Sequence, residues 1–172
     1  QLSTPAIMET RNREALENNL VRTVPEALKQ MPGVAIQKTS NGQGSPIIRG
    51  FTGYRTLALL DGIRYNHSAY RDGANEYFGL IDHQALERLE LLQGPSSVLY
   101  GSDAVGGVLN LFSRDSGFER EEQNKLFSHS SLYGRWHSSE QSWQGRADYN
   151  FGVGSEWGIH LGGTWKDFGE VI

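Results

Sequence analysis

The sequence lacks several features that would tie it to a common class of protein. Its 172 residues include no cysteine, which excludes disulfides and thiolate metal sites. No apolar run approaches the roughly 18 residues of a membrane-spanning helix, and the longest are short pieces such as LALL at 57–60. Lys and Arg number 16 against 20 Asp and Glu, so the basic excess expected of a nucleic-acid-binding domain is absent. The chain could still be a soluble domain or contain membrane β-strands, because such strands need only alternate between apolar and polar residues.

Catalytic and metal-binding motifs are also missing. GSDAVGGV at 101–108 has two glycines at P-loop spacing, but Gly107 and Val108 stand where Lys and Ser or Thr are needed. There is no G-x-S-x-G nucleophile elbow. The five histidines form no metal-binding pair; they are His67, His83, His129, His137 and His160. The sequence therefore predicts no enzyme, no resident metal and no cofactor.

The first two thirds of the chain have the pattern of a small mixed α/β domain. Thr23 can cap a helix, Glu26 completes a capping box, and an apolar stripe runs to Met31 before Pro32 and Gly33 end it. Ser96 is a second capping candidate, at the start of a helical turn over 96–100. The other predicted elements are strands at 34–37, 46–50, 56–60, 86–92 and 105–114, a short helix from Asp82 to Leu86, a turn at Asp61-Gly62, and loops at 39–46 and 65–79.

The pattern changes after Asp115. Residues 116–124, SGFEREEQN, are a polar and charged segment, and the chain beyond them alternates in polarity. One face of 143–151 is expected to carry Trp143, Gly145, Ala147, Tyr149 and Phe151, and Gln144, Arg146, Asp148 and Asn150 the other. Residues 157–166 alternate in the same way, and one face is expected to carry Trp157, Ile159, Leu161, Gly163 and Trp165. Aromatic residues near strand ends are typical of membrane β-strands, although a half-buried soluble sheet alternates too.

Four motifs occur in a fixed order along the first part of the chain. They are PEALKQMPGV at 25–34, SPIIRGF at 45–51, TLALLDGIR at 56–64, and LERLELLQGPSSVLYGSDAVGGVLNLFSR at 86–114. In this order they closely resemble the plug domain of TonB-dependent outer-membrane receptors, over roughly residues 20–115 with weaker similarity back to Pro5.

The resemblance implies an α+β architecture in which a small mixed α/β plug domain precedes antiparallel strands of a truncated transmembrane β-barrel. We expect the plug at 1–115, a linker at 116–124 and the first barrel strands at 125–172. Three strands cannot close a barrel, and open edges in lipid leave backbone groups unpaired. We therefore expect a fragment of a longer receptor, the alternative being several short chains that form one barrel together.

The function implied by the resemblance is transport. Receptors of this kind bind a scarce nutrient such as a ferric siderophore or haem and import it while the plug gates the barrel lumen. The implied partners are the TonB complex, through a box upstream of Gln1, the remainder of the barrel, outer-membrane lipid and a small-molecule nutrient, but no nucleic acid. The implied location is the outer membrane of a Gram-negative-type bacterium. A soluble plug-like binding or signalling module is the second hypothesis, and a small hydrolase is the third.

The resemblance also implies roles for particular residues. Substrate contacts are expected on apical plug loops, at Asn41, Gln43, Tyr54, Arg55, Tyr65, His67, Tyr70 and Arg71. Aromatic rings with Arg suit an anionic, ring-bearing chelate, and His67 with Tyr70 is a haem-iron ligand hypothesis. A plug–barrel lock is expected at Arg49, Glu87 and Glu90, with Gln93 standing where the family often has a second Arg or Lys. The plug core turns are expected at Gly94, Gly101, Gly106 and Gly107, where backbone packs closely against protein.

Overall fold

A computed structural model describes residues 7–19, 21–40, 42–66, 72–73, 77–115, 126–138, 141–153 and 156–169. The chain divides into two compact units, Gln1–Ser113 and Arg114–Ile172. The predicted linker at 116–124 lies outside the described residues, so the proposed domain boundaries stay a prediction. Within the described ranges, no helix is both long and apolar enough to cross a membrane.

The first unit contains seven strands and three short α-helices among its described residues. In chain order they are β1 (Ile7–Asn12), α1 (Arg13–Asn18), α2 (Val24–Leu28), β2 (Val34–Ser40), β3 (Gln43–Ile48), β4 (Thr56–Leu60), β5 (Ile63–Arg64), β6 (Leu86–Gln93), α3 (Ser97–Tyr100) and β7 (Gly107–Ser113). Single turns of 3₁₀-helix lie at Gly53–Arg55, Tyr77–Leu80 and His83–Ala85.

Five of these strands form one mixed sheet in the order β1-β6-β7-β4-β5. Strands β4 and β7 run parallel, with Thr56 opposite Gly107, and the other neighbouring pairs are antiparallel. Strands β2 and β3 form a separate two-stranded sheet. The mixed α/β plug predicted from the sequence is therefore confirmed, and the parallel pair brings the starts of β4 and β7 to the same end of the sheet.

The core lies on one face of the five-stranded sheet. Alternate residues of β6 and β7 point into it, among them Leu89 and Leu109, both fully buried. Helix α2 covers them with Val24 and Leu28, because positions four apart lie on one side of a helix. A smaller apolar cluster on Leu57, Val108 and Ala104 is distinct from this core.

Helix α2 begins where the capping pattern predicts and ends earlier. The Thr23 hydroxyl accepts a long hydrogen bond of 3.5 Å from the Glu26 N–H. The Glu26 carboxylate reaches back to the N–H of Arg22 at 2.9 Å, and not to that of Thr23 as a capping box requires. The helix stops at Leu28, although Met31 is still buried in the core, because the chain tightens into turns before Gly33, whose φ is +73°.

The predicted loop at 39–46 is wrong. Strands β2 and β3 pair through most of it, with Lys38 opposite Gly44 and Ile36 opposite Pro46. A strand can form here despite the polar and glycine-rich composition. The sheet has two strands, so β3 is an edge strand, and an edge strand tolerates a proline because its outer backbone positions need no N–H donor. Gly44 packs closely against β2, since a Cβ there would lie 3.2 Å from Ile36 Cγ2. The strand predicted at 46–50 is correspondingly displaced and ends at Ile48.

Three further boundaries differ from the prediction. Asp82 caps a 3₁₀ turn by accepting from the Gln84 N–H at 3.2 Å, and Leu86 already belongs to β6 instead of a helix. Ser96 occupies the N-cap of α3, but its hydroxyl donates to the Gly94 carbonyl and caps nothing. The last strand starts at Gly107 instead of Val105. Sequence reasoning also missed β1 and α1.

The second unit is a three-stranded antiparallel sheet. Its strands are β8 (Leu126–His137), β9 (Ser142–Val153) and β10 (Trp157–Asp167), in the order β10-β9-β8. The predicted alternation along β9 is confirmed, because Trp143 and Tyr149 are exposed whereas Arg146 and Asp148 are buried. On β10 the exposed apolar side chains include Ile159 and Leu161.

Candidate functional site

The candidate binding site of the first unit lies where β4 and β7 begin. The 3₁₀ turn Gly53–Arg55, hereafter the binding turn, precedes β4 directly. The Arg55 guanidinium lies 5.5 Å from the centre of the Tyr54 ring and 3.6 Å from the Asp72 carboxylate. A hydrogen bond to Tyr54 raises the pKa of Arg55, and attraction by Asp72 acts in the same direction. The turn thus presents an exposed cation beside an exposed aromatic ring.

Tyr65 is partly buried and contributes to packing. Its hydroxyl donates to the Tyr77 carbonyl at 3.2 Å, and its ring packs against the core. Burial raises the pKa of Tyr65 above its ordinary value of 10.0. The phenol is therefore neutral at physiological pH and fastens the chain after β5 to the 3₁₀ turn Tyr77–Leu80.

Gln43 is the first residue of strand β3. It sits near the β2–β3 turn, with its side-chain oxygen 3.5 Å from the Ser40 hydroxyl. The hairpin tip packs on Gly79, where an added Cβ would lie 3.1 Å from the Gly42 carbonyl oxygen. The other predicted substrate residues lie outside the described part of the chain; they are Asn41, His67, Tyr70 and Arg71. The haem-ligand hypothesis therefore stays a prediction.

Arg49 occupies an unusual backbone position at the end of β3. Its φ is +50°, and its N–H donates to the Gly33 carbonyl at 2.9 Å. Its guanidinium passes close to Gly94, since a Cβ there would lie 3.6 Å from Arg49 Nη1. No carboxylate in the described ranges forms an ion pair with this exposed side chain. The role of Arg49 in a lock stays a prediction.

Gln93 replaces a second lock cation with a buried neutral amide. Its side chain is 2% exposed, and its Nε2 donates to the Pro32 carbonyl at 2.7 Å. An added Cβ on Gly33 would lie 3.0 Å from the other side-chain atom, Oε1. Gln93 therefore ties β6 to the turn after α2 and carries no charge for a lock.

The two predicted lock carboxylates do not meet Arg49. Glu90 accepts a hydrogen bond from Arg88 Nε at 2.9 Å, and the Arg88 guanidinium stacks 3.7 Å from the centre of the Phe112 ring. Glu87 precedes them, next to the irregular register at Leu86 and Arg88. Glu90 therefore has a partner on its own strand, and the lock to a barrel wall stays a prediction.

The clustered glycines allow backbone segments to approach one another. An added Cβ on Gly106 would lie 2.4 Å from Phe51 Cβ, and one on Gly107 would lie 2.7 Å from the Leu92 carbonyl oxygen. Real Cβ atoms do not come so close, so any side chain at either position would displace its neighbours. Gly94 and Gly101 instead have positive φ angles, of +114° and +94°.

Glu26 forms a charge cluster with Arg22 and Lys38. The capping pattern predicted a role for Glu26 at the start of α2 but not its contact with β2. Its carboxylate accepts from Arg22 Nε at 3.1 Å and also pairs with Lys38 on β2. Burial alone would raise the pKa of Glu26, but the hydrogen bonds from Arg22 and Lys38 outweigh burial and lower it from 4.5 to about 2. One carboxylate thus joins the start of α2 to the β2–β3 hairpin.

This cluster predicts a loss of stability in acid. Because the folded pKa of Glu26 is lowered, its contribution is present above pH 4.5 and is lost as pH falls towards about 2. We expect Glu26→Gln to lower the free energy of unfolding by about 2–3 kcal/mol at pH 7. The difference from the parent should shrink progressively below pH 4.5.

Chemical unfolding at a series of pH values measures this difference. The matched control is Glu17→Gln, because the Glu17–Arg13 pair is exposed, at 40% and 41% of the side chains, and such pairs contribute little. A Glu26→Gln effect that stayed constant from pH 7 to pH 2 would contradict the assignment.

The second unit contains a buried polar network centred on Asp148 of β9. The sequence predicted the polar face of this strand but not the contacts between its side chains. Asp148 accepts from Arg114 Nη1 at 2.7 Å and from Arg146 Nε at 2.9 Å. These three side chains are only 4–8% exposed. Arg146 also donates to the Thr164 hydroxyl at 2.9 Å, which links β9 to β10. We call these four residues the Asp148 network.

Gly162 makes room for this network. It lies opposite Asp148 in the β9–β10 register, and an added Cβ would be 2.6 Å from Asp148 Oδ1. His160, two residues earlier on the same face, lies 3.5 Å from the same oxygen and contacts Asn150 through its other ring nitrogen. The sequence shows a glycine at 162 and an acidic residue at 148. Their contact could be inferred only after the pairing of β9 with β10 was known.

The chain is similar in sequence to one protein family and to several characterised proteins. The family model described as TonB-dependent Receptor Plug Domain matches residues 1–108. An iron-regulated outer membrane virulence protein of Vibrio cholerae is 41% identical over 117 residues, which cover 65% of this chain and 18% of that protein. A vitamin B12 transporter, BtuB, of Vibrio vulnificus is 37% identical over 132 residues, 73% of this chain and 21% of that protein.

Solved structures share the fold over nearly the whole chain. A ferric enterobactin receptor of Pseudomonas aeruginosa, PfeA, in complex with enterobactin, superimposes with a TM-score of 0.67 at 21% identity. The superposition covers 94% of this chain and 24% of that receptor.

The chain spans about a fifth of the length of the curated relatives it matches, 18% and 21% in the two cases given. The family match begins at residue 1, earlier than the motifs alone indicated, and ends at residue 108 within β7. The family match confirms the predicted class. The predicted location agrees with the name of the relative from Vibrio cholerae, an outer membrane virulence protein. The chain belongs to the family of TonB-dependent receptor plug domains.

Proposed function

We propose that this chain is the leading part of a receptor that binds and imports an anionic iron chelate through the outer membrane. The observation that carries the proposal is the binding turn, where an exposed guanidinium lies beside an exposed tyrosine ring. A guanidinium binds carboxylate or catecholate oxygens through charge-assisted hydrogen bonds, and an aromatic ring stacks on a flat ligand. The names of two relatives, iron-regulated protein and ferric enterobactin receptor, point in the same direction.

The proposal includes energy coupling. The relatives belong to a TonB-dependent family, so we propose that TonB drives import and that the plug gates the lumen of a barrel to which β8, β9 and β10 contribute. The exposed apolar side of that sheet, with Trp143 and Trp165 about half exposed or more, suits contact with lipid. Import that persisted after the proton gradient was collapsed would contradict the coupling.

Vitamin B12 is the second candidate substrate. Several relatives at 34–37% identity are named vitamin B12 transporters, so cobalamin has to be tested beside the iron chelates. The decisive experiment compares uptake of ⁵⁵Fe-enterobactin, ⁵⁵Fe-citrate and ⁵⁷Co-cyanocobalamin in cells with and without the complete receptor that contains residues 1–172. Uptake of an iron chelate alone supports the proposal, and uptake of cyanocobalamin alone overturns it in favour of the second candidate.

Arg55 provides a direct test of the binding turn. We expect Arg55→Ala to weaken binding of the imported chelate by roughly 10- to 100-fold, which corresponds to loss of a charge-assisted hydrogen bond. Equilibrium binding to the purified complete receptor measures the change. The matched control is Arg13→Ala, which removes an exposed cation on α1. Equal affinities of the two variants would show that the binding turn does not contact the ligand.

The free-standing alternative has its own test. A soluble plug-like binder predicts that the native protein has a mass near the 19.2 kDa of this chain and partitions away from the outer membrane. A native mass several times larger, recovered with the outer membrane, supports the receptor.

A further inference from the structure

The backbone edge of β4 is completed by a side chain. Strand β5 has only two residues, and its ladder with β4 pairs Leu60 with Ile63 and Leu59 with Arg64. The next residue, Tyr65, still donates its N–H to the Ala58 carbonyl at 2.9 Å. Beyond that point the first residues of β4 would face no backbone partner from β5.

Asn66 takes over at this point with its side-chain amide. Its Oδ1 accepts from the Ala58 N–H at 2.9 Å and its Nδ2 donates to the Thr56 carbonyl at 2.9 Å. An amide side chain has one acceptor and one donor side, so it can replace a peptide group in a ladder. Asn66 is only 9% exposed, and its loss would leave two buried backbone groups without partners.

These bonds lie next to the binding turn. The Thr56 carbonyl held by Asn66 follows Arg55 directly, and the Arg55 carbonyl accepts from the Gly106 N–H at 2.9 Å on the β7 side. The turn is further tied to β3, because the Thr52 hydroxyl donates to the Pro46 carbonyl at 3.0 Å. The chain leaving the turn is therefore held from both edges of β4, by Gly106 on one side and Asn66 on the other.

We propose that Asn66 is a positioning residue for ligand binding: by replacing a strand partner it sets the direction in which Tyr54 and Arg55 project. Asn66 itself need not touch the ligand. This inference rests on the proposed function, because it takes the binding turn to be the ligand contact.

Asp61 offers a matched control at the other end of β4. Its carboxylate also makes two hydrogen bonds to one strand neighbour, accepting from the Ser113 N–H at 2.8 Å and from the Ser113 hydroxyl at 2.7 Å. Asp61→Ala thus removes two side-chain hydrogen bonds from the same strand, away from the turn. A purely structural role for Asn66 predicts that neither variant weakens ligand binding more than the other.

The experiment compares Asn66→Ala, Asn66→Asp and Asp61→Ala in the complete receptor, with ferric enterobactin as the probe. We expect Asn66→Ala to weaken binding at least tenfold and to speed amide exchange over residues 53–58. Asn66→Asp, which keeps the acceptor for Ala58 and loses the donor to Thr56, should fall between Asn66→Ala and the parent. Asp61→Ala should leave affinity within twofold of the parent and speed exchange near Leu60 and Ser113.

Equal affinity in Asn66→Ala and Asp61→Ala would overturn the inference. If Asn66→Ala does not reach the outer membrane in a folded state, the ligand affinities of Asn66→Asp and Asp61→Ala are compared instead. Equal affinities of these two variants would likewise overturn the inference. Failure of the parent receptor to bind or import any iron chelate is a separate result that overturns the proposed function. In that case hydrogen exchange alone decides whether Asn66 holds the turn: unchanged exchange over residues 53–58 in both Asn66 variants would overturn the inference as well.

Discussion

Replacing Gly107 with valine should strongly destabilise the first unit. Gly107 lies in a central strand, opposite both Thr56 and Gln93. A Cβ there would lie 2.7 Å from the Leu92 carbonyl oxygen, which belongs to a paired strand and cannot move without breaking the ladder. Overpacking of this kind destabilises by about 3 kcal/mol.

Hydrogen exchange of the β6 and β7 amides measures this effect in the folded chain. The matched control is Gly134→Val, because no heavy atom lies within 4 Å of the position that a Cβ would take at Gly134. We expect exchange in β6 and β7 to accelerate roughly 100-fold in Gly107→Val, as a change of about 3 kcal/mol implies, and to stay unchanged in Gly134→Val. Unchanged exchange in Gly107→Val would mean that β6 and β7 are not paired as described.

Replacing Asp148 with alanine should produce the largest loss of stability in the second unit. Asp148 accepts hydrogen bonds from Arg114 and Arg146, and all three side chains are buried. Removing one member of a buried ion pair leaves charge without its counter-ion and costs about 3–5 kcal/mol. The link from Arg146 to Thr164 on β10 should loosen at the same time, because the guanidinium loses the group that orients it.

Tryptophan fluorescence reports this change selectively. All four tryptophans lie in the second unit, at Trp136, Trp143, Trp157 and Trp165. Urea titration in detergent should therefore show an early fluorescence transition for Asp148→Ala. The control is Asp167→Ala at the exposed end of β10, where we expect a change within about 0.5 kcal/mol. Coincident transitions for the two variants would show that the Asp148 network does not stabilise the sheet.

The elements that sequence reasoning predicted are those that depend on local interactions. The start of α2 follows from Thr23 and Pro25, and β4 follows from a short apolar run ended by Asp61 and Gly62. The alternation along β9 is likewise readable, because successive side chains of a strand point to opposite faces. The ordered motifs then identified the family before any contact was known.

The elements that sequence reasoning missed depend on which strands pair and where a strand edge is left open, and residue type alone does not specify either. The segment at 39–46 pairs as a hairpin although its composition is typical of a loop. Asn66 gave no signal in the sequence, because its role requires the unpaired edge of β4.

The sequence by itself determined the family, strand β4 and the two-faced character of the second unit. Each is set by residue type and spacing, which act between neighbours in the chain. Only the tertiary structure decided that the Gln93 side chain bonds to Pro32, 61 residues away, or that Gly162 lies against Asp148. Such contacts require the pairing of whole strands, since a shift of one residue in register would turn every side chain to the opposite face.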